Sequence, residues 1–273
     1  MTTPNPLVFQ EAIAEYLAPH RQQFNYDAML HTFTDNERFH RWAVYVDGLH
    51  PVAGSAFLSS GCGMGGSLLA YHDAGAASVT GVETDLQYAR FSSLRVTEVP
   101  TAEVRHVDDE PPLPFGDHSF DLIESMDVIE HVTDPRAYLA DLVRVLAPQG
   151  LILLVTPNRL WPVEQHLQIL GPPWLPVPVA DRLFTGLARL PAIGDERRLK
   201  YATLAQMRTQ NMSLRRLHRL AESLHLTLEV LVHDGTDAFP LPPQHPRFAQ
   251  LLDHPAGRFV APVKTLALTL RRD

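Results

Sequence analysis

The sequence is poor in three features that mark particular classes of protein: cysteine, lysine and long apolar runs. Its single cysteine, Cys62, excludes an internal disulfide and suits a reducing compartment. Its two lysines, Lys200 and Lys264, do not follow a tyrosine at the Tyr-x-x-x-Lys spacing that a short-chain dehydrogenase needs. The run "LILLV" is among its longest apolar stretches, far short of the roughly 20 residues that span a membrane.

Other absences narrow the location and the chemistry. Residues 1–25 lack the basic start and the apolar core of a signal peptide, so we expect a cytoplasmic protein without stable membrane insertion. The sequence shows no zinc-like Cys/His cluster, no acidic metal pair and no phosphate-binding P-loop, so we expect no metal. With 45% hydrophobic and 20% charged residues, the composition is that of a globular protein.

The net charge of −8 is distributed unevenly along the 273 residues. Residues 1–150 hold 8 Arg or Lys and 21 Asp or Glu, whereas residues 151–273 hold 15 and 10. An acidic protein of this kind is not expected to have nucleic acid as its main partner. The basic second half can still attract an anionic group locally.

Apolar runs alternate with helical patterns through the middle of the chain, which predicts a parallel sheet covered by helices on both faces. Two helical patterns come before it, and an insertion rich in proline and tryptophan follows it, with one short helix predicted near Val179 to Ala188. The alternation resumes with Ser213 as a helix N-cap. We therefore divide the chain into an N-terminal helical segment, a core, a lid or acceptor insertion and a C-terminal completion of the core sheet: residues 1–50, 51–158, 159–198 and 199–273.

The stretch "FLSSGCGMGG" places four glycines in six positions directly after an apolar run. The spacing Gly61-x-Gly63-x-x-Gly66 permits a tight turn and lets bare backbone approach a ligand at the start of the next helix. Glu83 ends the next predicted strand, about twenty residues further on, where a carboxylate can accept hydrogen bonds from ribose hydroxyls. A tight turn without a ligand is the alternative. The pattern alone does not distinguish a nicotinamide dinucleotide from an S-adenosyl cofactor.

The stretch from Ala56 to Asn158 resembles class I S-adenosylmethionine (SAM)-dependent methyltransferases. The segments that resemble the motifs of this family, in family order, are "FLSSGCGMGG", "VTGVETD", "DDEPPLPFGDHSFDLIESMDVIEHVTDP" and "LVRVLAPQGLILLVTPN". The resemblance implies a Rossmann-like, doubly wound α/β fold with a mostly parallel seven-stranded sheet whose last strand is antiparallel. It also implies SAM as the cofactor and S-adenosylhomocysteine as the product.

The resemblance assigns the cofactor contacts position by position. Gly61 and Gly63 would lie against the methionine part and the ribose, and Glu83 would bind the ribose diol. Asp109, with Asp108 as the alternative, would lie beside the adenine, unless "VDDEPP" is only an exposed acidic turn. The further positions that the family motifs imply for the cofactor are Ser59, Cys62, Thr84, Ser125 and Met126.

Ser59 departs from the family pattern. The family usually has Asp or Glu two residues before the first glycine, where the acid would interact with the methionine ammonium or a nearby backbone amide. Serine accepts a hydrogen bond but carries no charge. We therefore expect cofactor binding to be weaker by about 1 kcal/mol or more. Cys62, inside the turn, is interpreted as a small packed residue rather than a nucleophile.

Three residues are candidates for handling the acceptor of the methyl group. His131 in "VIEHV" follows the fourth strand, and His166 in "WPVEQHL" follows the fifth, where a general base would meet an acceptor. Glu164 would orient His166 or take its place. The alternative is that these polar side chains only pack or cap backbone amides at a helix start.

These features predict a methyltransferase for a small or lipid-linked acceptor. We expect methylation of oxygen, because "TPNRLW" differs from the P-P-Y or P-P-W segment typical of amino-directed enzymes. Four arginines of the insertion suggest an anionic acceptor and a lid that can contact a membrane surface reversibly: Arg182, Arg189, Arg197 and Arg198. Two alternatives stay open, a non-catalytic SAM-binding or partner-binding relative and an NAD(P)-dependent oxidoreductase, which the lysine positions disfavour.

Overall fold

The computed structural model describes these residues: 6–20, 30–31, 33–108, 112–161, 163–164, 167, 169–171, 174–190, 192–206, 210, 212–231 and 265–272. Its helices are α1 Pro6–Leu17, continued by a 3-10 turn Ala18–His20, α2 Glu37–Asp47, α3 Gly66–Asp73, α4 Leu86–Arg95, α5 Pro135–Val145, α6 Val177–Ala188, α7 Asp195–Gln206 and α8 Leu214–Ser223. Its strands are β1 Ala56–Ser60, β2 Ser78–Glu83, β3 Ala102–His106, β4 Phe120–Met126, β5 Leu146–Pro157, β6 Val163–Glu164, β7 Ile169–Leu170, β8 Leu226–Leu231 and β9 Thr265–Arg272.

Seven of these strands form one sheet in the order β3-β2-β1-β4-β5-β9-β8. β1 lies between β2 and β4 and runs parallel to both, with Ser59 opposite Gly81 on one side and Glu124 on the other. The last strand, β9, is antiparallel to β8. The predicted fold class, a Rossmann-like, mostly parallel seven-stranded sheet with one antiparallel strand, is confirmed. Its strand order reverses between β1 and β4, and open α/β sheets bind ligands where the order reverses.

The central strands are apolar almost without interruption because helices cover both faces of the sheet. Phe57 and Leu58 of β1 are fully buried, as are Ile152 and Leu154 of β5. The ring of Phe57 stacks on Tyr71 of α3 with centroids 3.7 Å apart. Each such side chain contributes about 1.5–3 kcal/mol by leaving water. This burial fixes the register of β1, and therefore the place at which the glycine turn begins.

The chain divides into two compact units. The first consists of Met1–Ser125 and Asp141–Leu153, and the second of Met126–Ala140 and Leu154–Asp273. Within the second, Phe184 of α6 and Leu204 of α7 are buried in an apolar cluster with Ile169 and Ala180. α8 begins as predicted, because the Ser213 hydroxyl accepts a hydrogen bond from the Arg216 amide at 3.3 Å.

The insertion contains more regular structure than the one predicted helix. β6 and β7 pair antiparallel, α6 begins two residues before the predicted start, and a second helix, α7, runs from Asp195 past position 198. α7 gives a weak sequence signal because it has no continuous apolar stripe. Its start is still favoured by Asp195 and Glu196 in the first turn, where acidic groups complement the helix dipole. Among the described residues, no helix has both the length and the apolar character needed to cross a membrane.

Candidate cofactor site

The glycine turn joins the end of β1 to the start of α3. The amides of Gly61 and Cys62 both donate to the carbonyl oxygen of Val82, each at 2.9 Å. The Gly65 amide donates to the carbonyl oxygen of Cys62 at 2.8 Å. These backbone hydrogen bonds attach the turn to β2 without using any side chain of the turn.

The glycines of the turn are required for two different reasons. A Cβ atom at Gly65 would come within 2.5 Å of the Ser92 hydroxyl, and one at Gly66 within 2.5 Å of the Phe39 ring. Gly63 has a φ of +51°, and a Cβ atom there would meet none of the described residues within 4 Å. Packing against the protein therefore explains Gly65 and Gly66, whereas the space beside Gly63 is open to a ligand.

Glu83, at the end of β2, is held by three backbone amides. Its Oε2 atom accepts from the Gly63 amide at 2.8 Å. Its Oε1 atom accepts from the amides of Thr84 at 2.9 Å and Asp85 at 3.1 Å. An ionised carboxylate offers about four acceptor positions, so it can still accept bonds from a ligand's hydroxyl groups. The carboxylate predicted to bind a ribose is thus already fixed beside the open face of Gly63.

Cys62 is packed under the turn. It is buried, its Sγ atom is 3.5 Å from the Ser92 hydroxyl, and a Cβ atom at Gly81 would come within 2.7 Å of that sulfur. Burial raises the pKa of the Cys62 thiol to about 12, with the charge of Glu83 adding to the effect. A thiol with this pKa is not a nucleophile at neutral pH.

Ser59 has a carboxylate beside it that the sequence analysis missed. Its hydroxyl lies 3.1 Å from the Ser67 hydroxyl and donates to Glu124 Oε1 at 3.4 Å. Glu124 is 2% exposed, and its Oε2 atom has no hydrogen-bond partner among the described residues. Burial raises the pKa of Glu124 to about 7, although bonds from Ser67 and Ser59 and the positive charge of Arg38 act in the opposite direction. The pairing of Ser59 with Glu124 becomes visible only once the register of β1 and β4 is known.

The remaining cofactor candidates lie at strand ends. Ser125 is fully buried near the end of β4, directly opposite Ser60 of β1. Met126 is the last residue of β4 and the first of the second unit. Asp108 is exposed beyond the end of β3, whereas Asp109 lies outside the described residues.

His131 lies in the second unit beside a buried acid. Its Nε2 atom is 3.9 Å from Glu130 Oε1, and its side chain is 35% exposed. The Glu130 Oε2 atom accepts a hydrogen bond from the buried Thr156 hydroxyl at 2.8 Å. Thr156 of β5 therefore holds the Glu130 carboxylate in place, while the His131 imidazole is partly exposed to solvent. This arrangement suits a histidine that exchanges a proton.

The other two acceptor candidates differ in what the structure shows. Glu164 is buried, and its Oε2 atom accepts from the Leu167 amide at 2.6 Å. It therefore caps a backbone amide, which is the alternative that its sequence position left open. His166 lies outside the described residues. In the part of the chain that the structure describes, no group of three or more His, Cys, Asp or Glu side chains could hold a metal ion.

A buried guanidinium supports the glycine turn. Arg95, at the end of α4, donates to the carbonyl oxygen of Met64 in the glycine turn at 3.1 Å. It also donates to three carbonyl oxygens of the segment before α2, those of Phe33, Thr34 and Asp35, at 3.0 to 3.2 Å, and to the Asn36 side-chain oxygen. This segment and the glycine turn are therefore held by one side chain.

Comparison with known proteins identifies the class to which this site belongs. The sequence model of the family described as "Methyltransferase domain" matches residues 58–154. The ubiquinone biosynthesis O-methyltransferase of Paracidovorax citrulli is 32% identical over 117 residues, 42% of this chain and 49% of that protein. The 2-methyl-6-phytyl-1,4-hydroquinone methyltransferase of a Synechocystis species is 32% identical over 117 residues, 42% of this chain and 35% of that protein.

A solved structure supports the same fold over more of the chain. A SAM-dependent methyltransferase from Mesorhizobium loti superposes with a TM-score of 0.55 and 18% identity, covering 85% of this chain and 98% of that one. The resemblance to class I SAM-dependent methyltransferases, whose cofactor is SAM, is confirmed: residues 58–154 match the methyltransferase domain, and the likeness of fold extends over most of the chain. The chain spans half or less of the length of the two relatives it matches.

The amide-held carboxylate of Glu83 generates a binding prediction. Glu83→Ala should weaken SAM binding by about 1–3 kcal/mol, because the ribose hydroxyls lose a charged acceptor. Gly63→Val should weaken it further, since a β-branched side chain would occupy the open space. Isothermal titration calorimetry with SAM measures both effects.

Asp85→Ala is the matched control for this experiment. The Asp85 side chain accepts from the amides of Gln87 and Tyr88 and caps α4, so its loss should cost stability of about 1 kcal/mol. It does not contact Gly63, so SAM affinity should stay near that of the wild type. Unchanged affinity in both the Glu83 and the Gly63 variants would contradict the assignment of this site.

The buried carboxyl of Glu124 generates a pH prediction. Its pKa is about 7 in the folded protein and 4.5 when exposed. Between these values the folded state holds a proton that the unfolded state has released, so this group makes the free energy of unfolding fall as pH rises. The loss is roughly 3 kcal/mol across that window. In urea unfolding at pH 5 and pH 7, Glu124→Gln should therefore gain stability relative to the wild type as pH rises, whereas Glu98→Gln, a change at an exposed glutamate, should not.

Proposed function

We propose that the protein is a SAM-dependent methyltransferase that methylates an oxygen atom of a small or lipid-linked acceptor. The observation that carries the proposal is the open face of Gly63 beside the fixed carboxylate of Glu83, within the segment that matches the methyltransferase domain. The names of the two relatives refer to ubiquinone biosynthesis and to a phytyl hydroquinone. Carried over to this chain, they favour an acceptor that combines a hydroxyl group with an apolar chain.

The chemistry requires little from the protein beyond alignment. Methyl transfer from a sulfonium is an in-line displacement with a donor that is already activated, so the protein must orient the two reactants and exclude water. A base is needed if the acceptor is a hydroxyl group that keeps its proton at neutral pH. A histidine with one accessible nitrogen is suited to this role.

His131 has the surroundings that this role needs. Glu130 lies beside it, and a neighbouring carboxylate stabilises the imidazolium that forms when the ring takes up a proton. The hydrogen bond from Thr156 fixes Glu130, so the carboxylate keeps its place. His166 remains the other candidate from its position after the fifth strand. Glu164 is less suited to act as a base, because its Oε2 atom already binds a backbone amide.

A turnover assay tests the proposal and distinguishes the two histidines. The wild type, SAM and a panel of phenols and hydroquinols with apolar chains should yield S-adenosylhomocysteine and a methylated product, detected by mass spectrometry. The variant that removes the base, His166→Ala or His131→Ala, should lower turnover about 100-fold at nearly unchanged SAM affinity. His72→Ala, at a surface position on α3, is the control.

The outcomes separate the open alternatives. Loss of turnover in one histidine variant alone identifies the base, and normal turnover in both indicates an acceptor that ionises without help. SAM binding without turnover on any acceptor would support a non-catalytic SAM-binding relative. Binding of NAD in place of SAM would contradict the proposal.

The outward face of α6 supports an acceptor or surface with an apolar part. Val179 and Leu183 of this helix are 50% and 47% exposed, whereas Ala180 and Phe184 of the same helix are buried. Arg182 lies on the outward face with them, because residues three and four positions apart share one side of a helix. Other apolar side chains of the second unit are also exposed: Leu170, Trp174, Leu190 and Leu199. An apolar face carrying a cation is suited to an anionic lipid surface.

The arginines of the insertion do not all have the same role. Arg198 forms an ion pair with Asp195 at 3.0 Å and donates to the carbonyl oxygens of Ala188 and Ile193. It therefore fastens the connection between α6 and α7. Arg182 and Arg189 are exposed and are the better probes of charge recognition.

Replacement of Arg182 and Arg189 together by Gln tests the lipid proposal. Binding to vesicles that contain anionic phospholipid should weaken about tenfold or more at low salt, since each basic group near such a surface contributes about 1 kcal/mol. The KM for anionic acceptors should rise, whereas SAM affinity should not change. Arg90→Gln on α4, in the first unit, is the control. Equal binding of the wild type to neutral and anionic vesicles would overturn the idea.

A further inference from the structure

Glu124 of β4 lies beside position 59, where the family pattern has an acid and this chain has a serine. Strand register places it directly opposite Ser59 of β1. Residues paired in this way on parallel strands point to the same face of the sheet. On that face the hydroxyl of Ser67, in the first turn of α3, joins the Ser59 hydroxyl and the Glu124 carboxylate in one buried group. The two serines therefore orient the acid.

The carboxylate of Glu124 lacks the partner that a buried charge requires. Its Oε2 atom is buried without a hydrogen-bond partner among the described residues, and the groups that bond to the carboxylate are the uncharged hydroxyls of Ser59 and Ser67. The positive charge of Arg38 influences it, but no ion pair between the two is found within the described residues. A buried charge of this kind is costly unless a cation pairs with it. Among the described residues, Glu124 therefore supplies a negative charge without a cation paired to it.

Glu124 lies close to the glycine turn. The charge of Glu124 contributes to the raised pKa of the Cys62 thiol, which is inside the turn. Ser59, which donates to Glu124, comes two residues before Gly61. The carboxylate therefore lies beside the end of β1, two residues before the glycine turn begins.

We infer that Glu124 provides the negative charge that binds the ammonium group of the methionine part of SAM, in place of the acid expected at position 59. Ser59 and Ser67 act as positioning residues that direct the carboxylate. The inference rests on the proposed use of SAM. It also removes the reason to expect weak cofactor binding from the serine at position 59, because the charge is supplied by the neighbouring strand.

Three ligands distinguish this role from a structural one. SAM and S-adenosylhomocysteine carry the ammonium group, whereas 5′-methylthioadenosine carries the adenosine and sulfur without it. Glu124→Gln should weaken binding of the first two by about tenfold to a hundredfold, the effect of one charge-assisted hydrogen bond. It should leave binding of 5′-methylthioadenosine within about twofold, since the adenosine contacts are untouched. Glu98→Gln, at an exposed position on the same unit, should change none of the three affinities.

A relocation variant provides the second test. Ser59→Asp combined with Glu124→Gln returns the acid to position 59 and should recover most of the lost SAM affinity. Glu124→Asp, which keeps the charge, should keep the preference for SAM over 5′-methylthioadenosine, and it serves if Glu124→Gln does not fold.

The results separate this inference from the proposed function. Equal losses for SAM and 5′-methylthioadenosine would show that Glu124 only supports the fold, and unchanged SAM affinity in Glu124→Gln would overturn the inference alone. A wild-type protein that binds neither SAM nor S-adenosylhomocysteine would overturn the proposed function itself.

Discussion

The buried guanidinium of Arg95 is the interaction on which the first unit depends. It donates to carbonyl oxygens of the glycine turn and of the segment before α2, and it lies 4.7 Å from the ring centroid of Phe9 in α1. Burial lowers the pKa of Arg95 to about 10, so it remains charged at neutral pH. A desolvated cation must keep all its acceptors, because losing one leaves a charged donor unpaired. The N-terminal helices, α4 and the glycine turn are therefore ordered together. A displacement of any one of them would disturb the contacts that Arg95 makes with the others.

This support allows the turn to be built for a ligand rather than for its own stability. The backbone bonds to Val82, the bond from the Gly63 amide to Glu83 and the packing of Gly65 and Gly66 against Ser92 and Phe39 fix the turn. None of these contacts uses the space beside Gly63. Glu83 is then held by amides before a cofactor arrives, so little side-chain entropy is lost on binding. A hydroxyl pair that meets a carboxylate already in place gains more than one that must first order it.

The features that could be predicted from the sequence are those with a local cause. The alternation of buried strands and helices, the glycine spacing, the Ser213 cap and the acid at the end of β2 all follow from neighbours along the chain. The pairing of Ser59 with Glu124 could not be predicted in the same way, because it depends on which residues of two strands 65 positions apart stand opposite each other. The five acceptors of Arg95 come from the turn and from the segment before α2, so no local pattern reveals them. α7 could not be predicted because its apolar residues form no continuous stripe.

Moving the acid from the first strand to the fourth would change its ionisation as well as its position. An acid at the end of β1 can bond backbone amides of the turn, which keep it ionised whether or not the cofactor is present. Among the described residues, Glu124 has serine hydroxyls as its hydrogen-bond partners, and burial raises its pKa to about 7. On the proposed role, the ammonium group of the cofactor pairs with Glu124 and removes the cost of the buried charge. The buried charge lowers the stability of the fold without cofactor, and cofactor binding recovers this free energy as affinity. Binding sites commonly contain such locally unfavourable features. The product keeps the ammonium and loses the methyl group, and with it the sulfonium charge. It would retain this contact, so Glu124 would favour binding of both cofactor and product without distinguishing them. Discrimination between the two would have to come from the end of the site near Ser125, where the resemblance places the sulfonium.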